Sequence, residues 1–239
     1  MDNQTVKRAP HELAAEIAAQ EKVVLPFPVA EGEEYFIESL GEVKKKPFYS
    51  FIKRAFDICA SGFALLLLLI PMLIIAIIIK STDGGSVFYS QERLGLNGKK
   101  IKVIKFRSMR VDAEKMGAQW SAGDDDPRIT KVGKFIRKTR LDELPQLICI
   151  FTGSMTIVGP RPEREPYYKV FETYVHGFSE RLKVKPGLTG LAQVSGGYDL
   201  PPQEKVLHDI DYIKRRSLWL DLKIIFKTVA VVFTHEGAK

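Results

Sequence analysis

Two adjacent carboxylates, Asp142 and Glu143, follow a stretch that holds six bases: Arg128, Lys131, Lys134, Arg137, Lys138 and Arg140. In a basic chain such a pair is commonly a solvated balance for its neighbours. Crowded by cations, it is also what a nucleophile or a Mg²⁺ site requires, because nearby positive charge depresses a carboxylate pKa and keeps it ionised. Its place in the chain supports the chemical reading. Ile129, Val132, Phe135 and Ile136 recur at helical spacing, and Leu144, which precedes Pro145, is disfavoured in the α region. One helix is therefore expected to end near Leu141, and another to begin with Pro145 in its first turn and run through QLICIF. A helix junction offers unpaired backbone N–H groups, and that suits an anion.

Other cations stand where they can meet a phosphate. Arg161 lies between Pro160 and Pro162, whose fixed φ angles help present a guanidinium fork; a stiffened surface loop is the plainer reading of that tripeptide. Lys105 and Arg107 end a strand-like run. Gly159–Pro162 and Lys185–Gly190 read as rigid loops.

The elements that must hold these residues are legible in outline. Ser86–Arg93 and Lys99–Phe106 are β-rich runs around Gly95-Leu96-Asn97-Gly98, which predicts a hairpin. Residues 112–126 are polar and predict a loop. A helix is expected from about Pro202 to Arg215. Ser217–Phe233 mixes Trp219 and aliphatics with Asp221, Lys223 and Lys227, which fits an interfacial helix or an ordinary core helix. At the start, residues 10–22 have helical composition and LPFPV breaks them, so a loosely attached extension is expected.

Ile58–Ile79 is uncharged for 22 residues, long enough at about 1.5 Å per residue to cross the hydrocarbon of a bilayer. It lies too far into the chain for a signal peptide. Bases flank both ends, and Pro71 interrupts it after thirteen residues. Positive charge on both sides suggests a helix that enters, kinks and returns to the same face; a simple span with a tolerated proline is the alternative.

The chain has 239 residues, 45% hydrophobic and 27% charged, and carries a net charge of +7. That composition excludes a disordered chain. Residues 1–50 hold nine acids against six bases, so the remainder carries +10 and expects an anionic partner. Nucleic acid is disfavoured: there is no zinc spacing, RNP-type strand or recognition helix. Cys59 and Cys149 lack metal-ligand spacing, which fits a reducing compartment.

The motifs KFRSM (105–109), DDDPRITKVGKFIRKTRLDELPQL (124–147), GSMTIVGPRPE (153–163), KPGLTGLAQVSG (185–196) and DIDYIKRRSLWLDLKIIFKTV (209–229) occur in one chain and in this order. From about Lys53 to Phe233 the chain resembles the bacterial sugar transferases, monotopic polyprenyl-phosphate phosphoglycosyl transferases. The resemblance implies an α+β, mostly α, monotopic membrane protein with a re-entrant N-terminal helix, interfacial amphipathic helices and a small β-hairpin. On that reading residues 1–50 form an acidic extension, 51–80 the membrane-inserted helix, and 81–239 a catalytic domain on the cytoplasmic face of the bacterial inner membrane.

The implied reaction moves a hexose-1-phosphate from a UDP-sugar, with glucose or galactose as the expected hexose, to undecaprenyl phosphate, releasing UMP and starting capsule, exopolysaccharide or O-antigen assembly. Asp142 would be the nucleophile, Glu143 would assist it and share Mg²⁺ with it, and Arg161 would contact the nucleotide. Arg137, Lys105 and Arg107 would attend the phosphates. The bilayer is a further implied partner, and oligomerisation is left open. Members usually carry Ser-Pro at the helix break, whereas this chain has Ile70-Pro71. Larger members also carry N-terminal transmembrane helices and a nucleotide-binding-like domain, for which the 57 residues before Ile58 leave no room.

Overall fold

The structure is a computed structural model that describes residues 9–25, 29, 31–113, 126–196 and 200–234. Most of the polar loop expected over residues 112–126 lies outside them.

Helix α1 (Pro10–Gln20) starts on a proline, whose missing N–H costs nothing in a first turn. Ala14 and Ala18, four residues apart, are buried with Val23 in the main hydrophobic core. Strand β1 (Tyr35–Phe36) pairs in parallel with β5 (Val175–His176), and Glu38 pairs with Lys214 at 2.6 Å. The loosely attached extension expected from the sequence is therefore corrected. The segment is docked, because small apolar side chains fill the core and its acids meet bases of the body.

Helices α2 (Pro47–Leu67) and α3 (Leu69–Asp83) meet at a 61° bend. Among the described residues no single helix is long and apolar enough to cross a membrane, but this bent pair is so by length and composition. The break falls at Leu68, which makes Pro71 a first-turn residue of α3. Its missing donor is then one that a helix start leaves unpaired anyway, so the bend needs no serine hydroxyl.

Strands β2 (Phe88–Leu94) and β3 (Lys100–Phe106) form the expected antiparallel hairpin, with Asn97 and Gly98 at φ of 54° and 74° in the turn. Phe106 packs with Ile75 and Ile79 of α3 and with Ile136 of α4 (Lys131–Lys138). Thr130 caps α4, its Oγ1 accepting from Gly133 N at 2.8 Å. A 3₁₀ turn (Leu141–Glu143) leads to α5 (Gln146–Thr152), and Cys149 and Ile150 of α5 pack with Val103 and Met155.

Strand β4 (Thr156–Val158) pairs in parallel with β6 (Gly187–Thr189). Between them, α6 (Glu165–Phe171) and a 3₁₀ turn (Phe178–Lys183) supply Tyr168, Phe171 and Phe178 to the main core. Helix α7 (Leu191–Gly196), helix α8 (Pro202–Arg215) and helix α9 (Leu218–Thr234) complete the chain. Ile210 and Ile213 of α8 and Ile224 of α9 close that core.

Polar anchors seat α2 on the body. Asp57 accepts from Thr156 Oγ1 and Ile157 N, and Arg54 donates to the carbonyls of Ile150 and Phe151 at the end of α5. Lys53 and the Tyr49 hydroxyl both reach Asp221 of α9. The other side of the pair is bare: Phe48, Phe63, Leu66, Ile70 and Ile77 are exposed, as are Phe151, Trp219 and Phe226 on α5 and α9.

Candidate active site

The dyad sits in a turn shaped by one unusual residue. Arg140, at φ 55°, terminates α4 and reverses the chain into the 3₁₀ turn, with α5 beginning just beyond. A helix junction is therefore present, but α4 ends at Lys138 rather than near Leu141, and Leu144 itself is in the α region at φ −53° and ψ −38°, so Arg140 and not the pre-proline restriction makes the break. Asp142 is buried and 8% exposed.

The two carboxylates are treated differently. Glu143 Oε1 accepts from Lys105 Nζ at 2.8 Å and also receives Arg161 Nη2, while Arg161 Nη1 lies 3.4 Å from Oε2. Lys105 Nζ stands 3.9 Å from Asp142 Oδ2. Burial disfavours the charged form of both groups. At Glu143 the Arg161 guanidinium and the Lys105 ammonium outweigh burial and hold the carboxyl well below its ordinary range. At Asp142 burial prevails and raises the carboxyl, with Glu143 adding to the rise and Lys105 and Arg137 opposing it. The expectation that neighbouring bases depress both carboxylates is corrected for Asp142, because the turn carries it inside, where desolvation outweighs those charges.

The sequence-selected cations divide in the same way. Lys105 and Arg161 clasp Glu143, and Arg137, in the last turn of α4, acts on Asp142 through its charge. Arg107 lies against the connection from α3 to β2: a Cβ built on Gly85 would stand 1.9 Å from its Nη1.

Pro160 and Pro162 are buried. Their loop lies against the start of β6, so closely that a Cβ on Gly187 would stand 2.1 Å from Gly159 N. Only glycine permits that approach. Arg93 and Arg181, which the sequence did not single out, donate to carbonyls of the same loop; Arg93 Nη1 also pairs with Glu163, and Arg181 Nη2 with Asp209 at 2.6 Å. Isolated arginines carry no local signal. The available hint was that a rigid, proline-bearing loop must find donors for its carbonyls somewhere.

Asp142 and Glu143 offer two adjacent carboxylates, and among the described residues no group of three acidic, His or Cys side chains could hold a metal. That donor set fits Mg²⁺ as it is commonly bound, by one or two carboxylates with phosphate oxygens and water completing the shell.

Two carboxylates with Lys105, Arg161 and Arg137 about them thus lie in one chain with a bent apolar helix pair. Residues 48–235 match the family described as bacterial sugar transferase, and the chain belongs to it. It is similar to the UDP-N-acetylgalactosamine-undecaprenyl-phosphate N-acetylgalactosaminephosphotransferase of Aeromonas hydrophila, 42% identical across 84% of this chain and 48% of that protein. It is 38% identical to the UDP-glucose:undecaprenyl-phosphate glucose-1-phosphate transferase of Escherichia coli (strain K12), across 99% of this chain and 53% of that one. It is also 38% identical to the exopolysaccharide production protein ExoY of Rhizobium meliloti (strain 1021), across 85% of this chain and 95% of its relative. The chain thus spans about half the length of the first two relatives.

Proposed function

We propose that this protein transfers a sugar-1-phosphate from a UDP-sugar to undecaprenyl phosphate, releasing UMP, and so starts the assembly of a cell-surface polysaccharide. One observation carries the reading: in a chain of this family, buried Asp142 lies beside Glu143, whose carboxylate is clasped by Lys105 and Arg161. Relatives are named for N-acetylgalactosamine and glucose donors, and glucose or galactose is the donor proposed here.

Donor and acceptor are both polyanions, so direct attack of one on the other meets strong repulsion. A covalent relay removes that encounter. Asp142 Oδ2 attacks the phosphorus that bears the sugar; the Asp–O–P bond forms, the diphosphate bridge breaks, and UMP leaves with the bridging oxygen. An oxygen of undecaprenyl phosphate then attacks the same phosphorus, forming the lipid diphosphate sugar and returning the Asp142 carboxylate. Both nucleophiles react as anions, so no general base is needed. Lys105 and Arg161 hold Glu143 in place and present positive charge to the phosphates. Asp142 and Glu143 would hold Mg²⁺, which when bound supplies further charge neutralisation to phosphate oxygens.

The exposed apolar side of α2 and α3 supports insertion as a re-entrant pair, with Trp219 and Phe226 of α9 at the interface. Bases on both flanks favour the cytoplasmic face of the bacterial inner membrane. The test is nucleotide release. Detergent-purified protein with Mg²⁺, undecaprenyl phosphate and one of several UDP-sugars should yield UMP from a single donor. UDP as the product would replace the proposal with sugar-only transfer, and no nucleotide from any donor would leave a lipid-binding assembly factor.

A further inference from the structure

In the loop that carries Arg161, the main-chain carbonyls of residues 160–163 are all engaged. Pro160 O accepts from Gly187 N at 2.9 Å and Glu163 O from Leu94 N at 3.0 Å. Between them, Arg161 O accepts from Arg181 Nη2 at 2.9 Å and Pro162 O from Arg93 Nη1 at 2.8 Å. Two guanidiniums from different elements, Arg93 on β2 and Arg181 in the 3₁₀ turn after β5, thus grip successive carbonyls.

Both guanidiniums are themselves held. Gln91 Oε1 accepts from Arg93 Nε and Nη2, and Glu163 Oε2 takes Nη1 at 3.2 Å. Arg181 is 1% exposed, pairs with Asp209, and lies over the Phe178 ring with Cζ 4.8 Å from its centroid. Glu163 is fixed from a third direction by Lys205 at 3.2 Å.

The physical consequence concerns Arg161. Proline fixes φ at positions 160 and 162. The grip on the carbonyls of residues 160–163 fixes the orientation of the peptide planes and so the remaining soft angles. The direction in which Arg161 leaves the backbone is set before any ligand arrives. A guanidinium must be placed to within a fraction of an ångström to meet a phosphate or a base plane. Single-point tethering would leave the loop able to rotate, whereas two grips on adjacent carbonyls do not.

We propose that Arg93 and Arg181 are positioning residues of the donor site, a paired clamp that orients Arg161 toward Glu143 and the phosphates of the donor. This rests on the function proposed above. Arg181 does not touch substrate; it acts through the main chain of residue 161, and Arg93 acts through that of residue 162.

The test is a double-mutant cycle in the full-length, detergent-purified protein, read both as kcat/KM for the UDP-sugar and as UMP binding by calorimetry. Arg181→Lys and Arg93→Lys, each in the wild-type background, should lower kcat/KM by about 10- to 100-fold while the folded fraction, checked by thermal unfolding, is retained. In an Arg161→Lys background the same substitutions should cost less than about 3-fold, because the residue they orient is already lost. Equal losses in both backgrounds overturn the clamp, since a merely structural defect acts irrespective of residue 161. If both lysine variants fail to fold, Gln91→Met carries the same cycle, because it loosens Arg93 from a half-buried strand position; equal losses there overturn the clamp as well. Failure of the wild-type protein to release UMP with any donor overturns the underlying function, and the clamp's purpose with it. UMP release together with an additive cycle overturns the clamp alone.

Discussion

Thr156 Oγ1 donates to Asp57 Oδ2 at 2.7 Å, across 99 residues of sequence. The bond ties the middle of α2 to β4, two residues before the strand passes into the loop of Arg161. The apolar helix is therefore anchored to the strand that leads into the Arg161 loop.

That anchor is testable at Asp57. Asp57→Ala should remove the acceptor of both Thr156 Oγ1 and Ile157 N in the buried interface, at a cost of about 2–4 kcal/mol. Asp57→Asn keeps one acceptor and should cost less. Thermal unfolding in detergent measures both; equal, negligible shifts would show that the anchor contributes nothing.

Asp142→Asn should lower UMP release by at least about 10³-fold without loss of fold, because the amide oxygen cannot form the acyl-phosphate relay. With a labelled UDP-sugar and no acceptor, the wild-type protein should retain label on Asp142, and hydroxylamine should remove it. Turnover near wild type in Asp142→Asn would end this residue's role.

Glu163 sets an acid limit on stability. Burial pushes its carboxyl up, but Lys205 and Arg93 more than offset this and hold it at about 2. A carboxyl depressed in the folded state contributes stability that is complete above its unfolded value, near 4.5, and is lost as the pH falls toward 2. The loss should amount to about 3 kcal/mol across that window. Glu163→Gln should be less stable at pH 7 and should show a flatter profile between pH 4.5 and 2; an unchanged slope in urea unfolding would refute the assignment.

The docked extension predicts a penalty at its buried alanines. Ala14 is 0% exposed, and Ala14→Leu should cost about 1–3 kcal/mol by overpacking. The same change at exposed Ala15, the neighbouring residue on the same helix, should be neutral. Limited proteolysis within residues 9–25 should quicken only in the first variant. Equal cleavage rates would indicate a segment that does not depend on this packing.

What was legible in the sequence is what short-range physics controls. The hairpin follows from β-rich runs around a glycine-bearing turn, and α8 from a proline start with helical periodicity. The break before Pro71 follows from proline geometry, whereas Leu144 lies in the α region despite Pro145 and the helix junction there is made by Arg140 at φ 55°. The pairing of Asp142 and Glu143 is covalent adjacency, and the motif order gave the family.

Tertiary structure decided the rest, because it depends on contacts between distant residues. The parallel β4–β6 pair joins segments about 30 residues apart, and no local pattern specifies that register. The same holds for β1–β5, which docks the N-terminal segment. Lys105 and Arg107 are two residues apart, yet one clasps Glu143 and the other lies against Gly85. The difference between Asp142 and Glu143 arises after folding: both are buried, but two cations converge on one carboxylate and desolvation prevails at the other. Sequence specifies which charges a chain carries; the distance and burial that give those charges their energies exist only once the chain has folded.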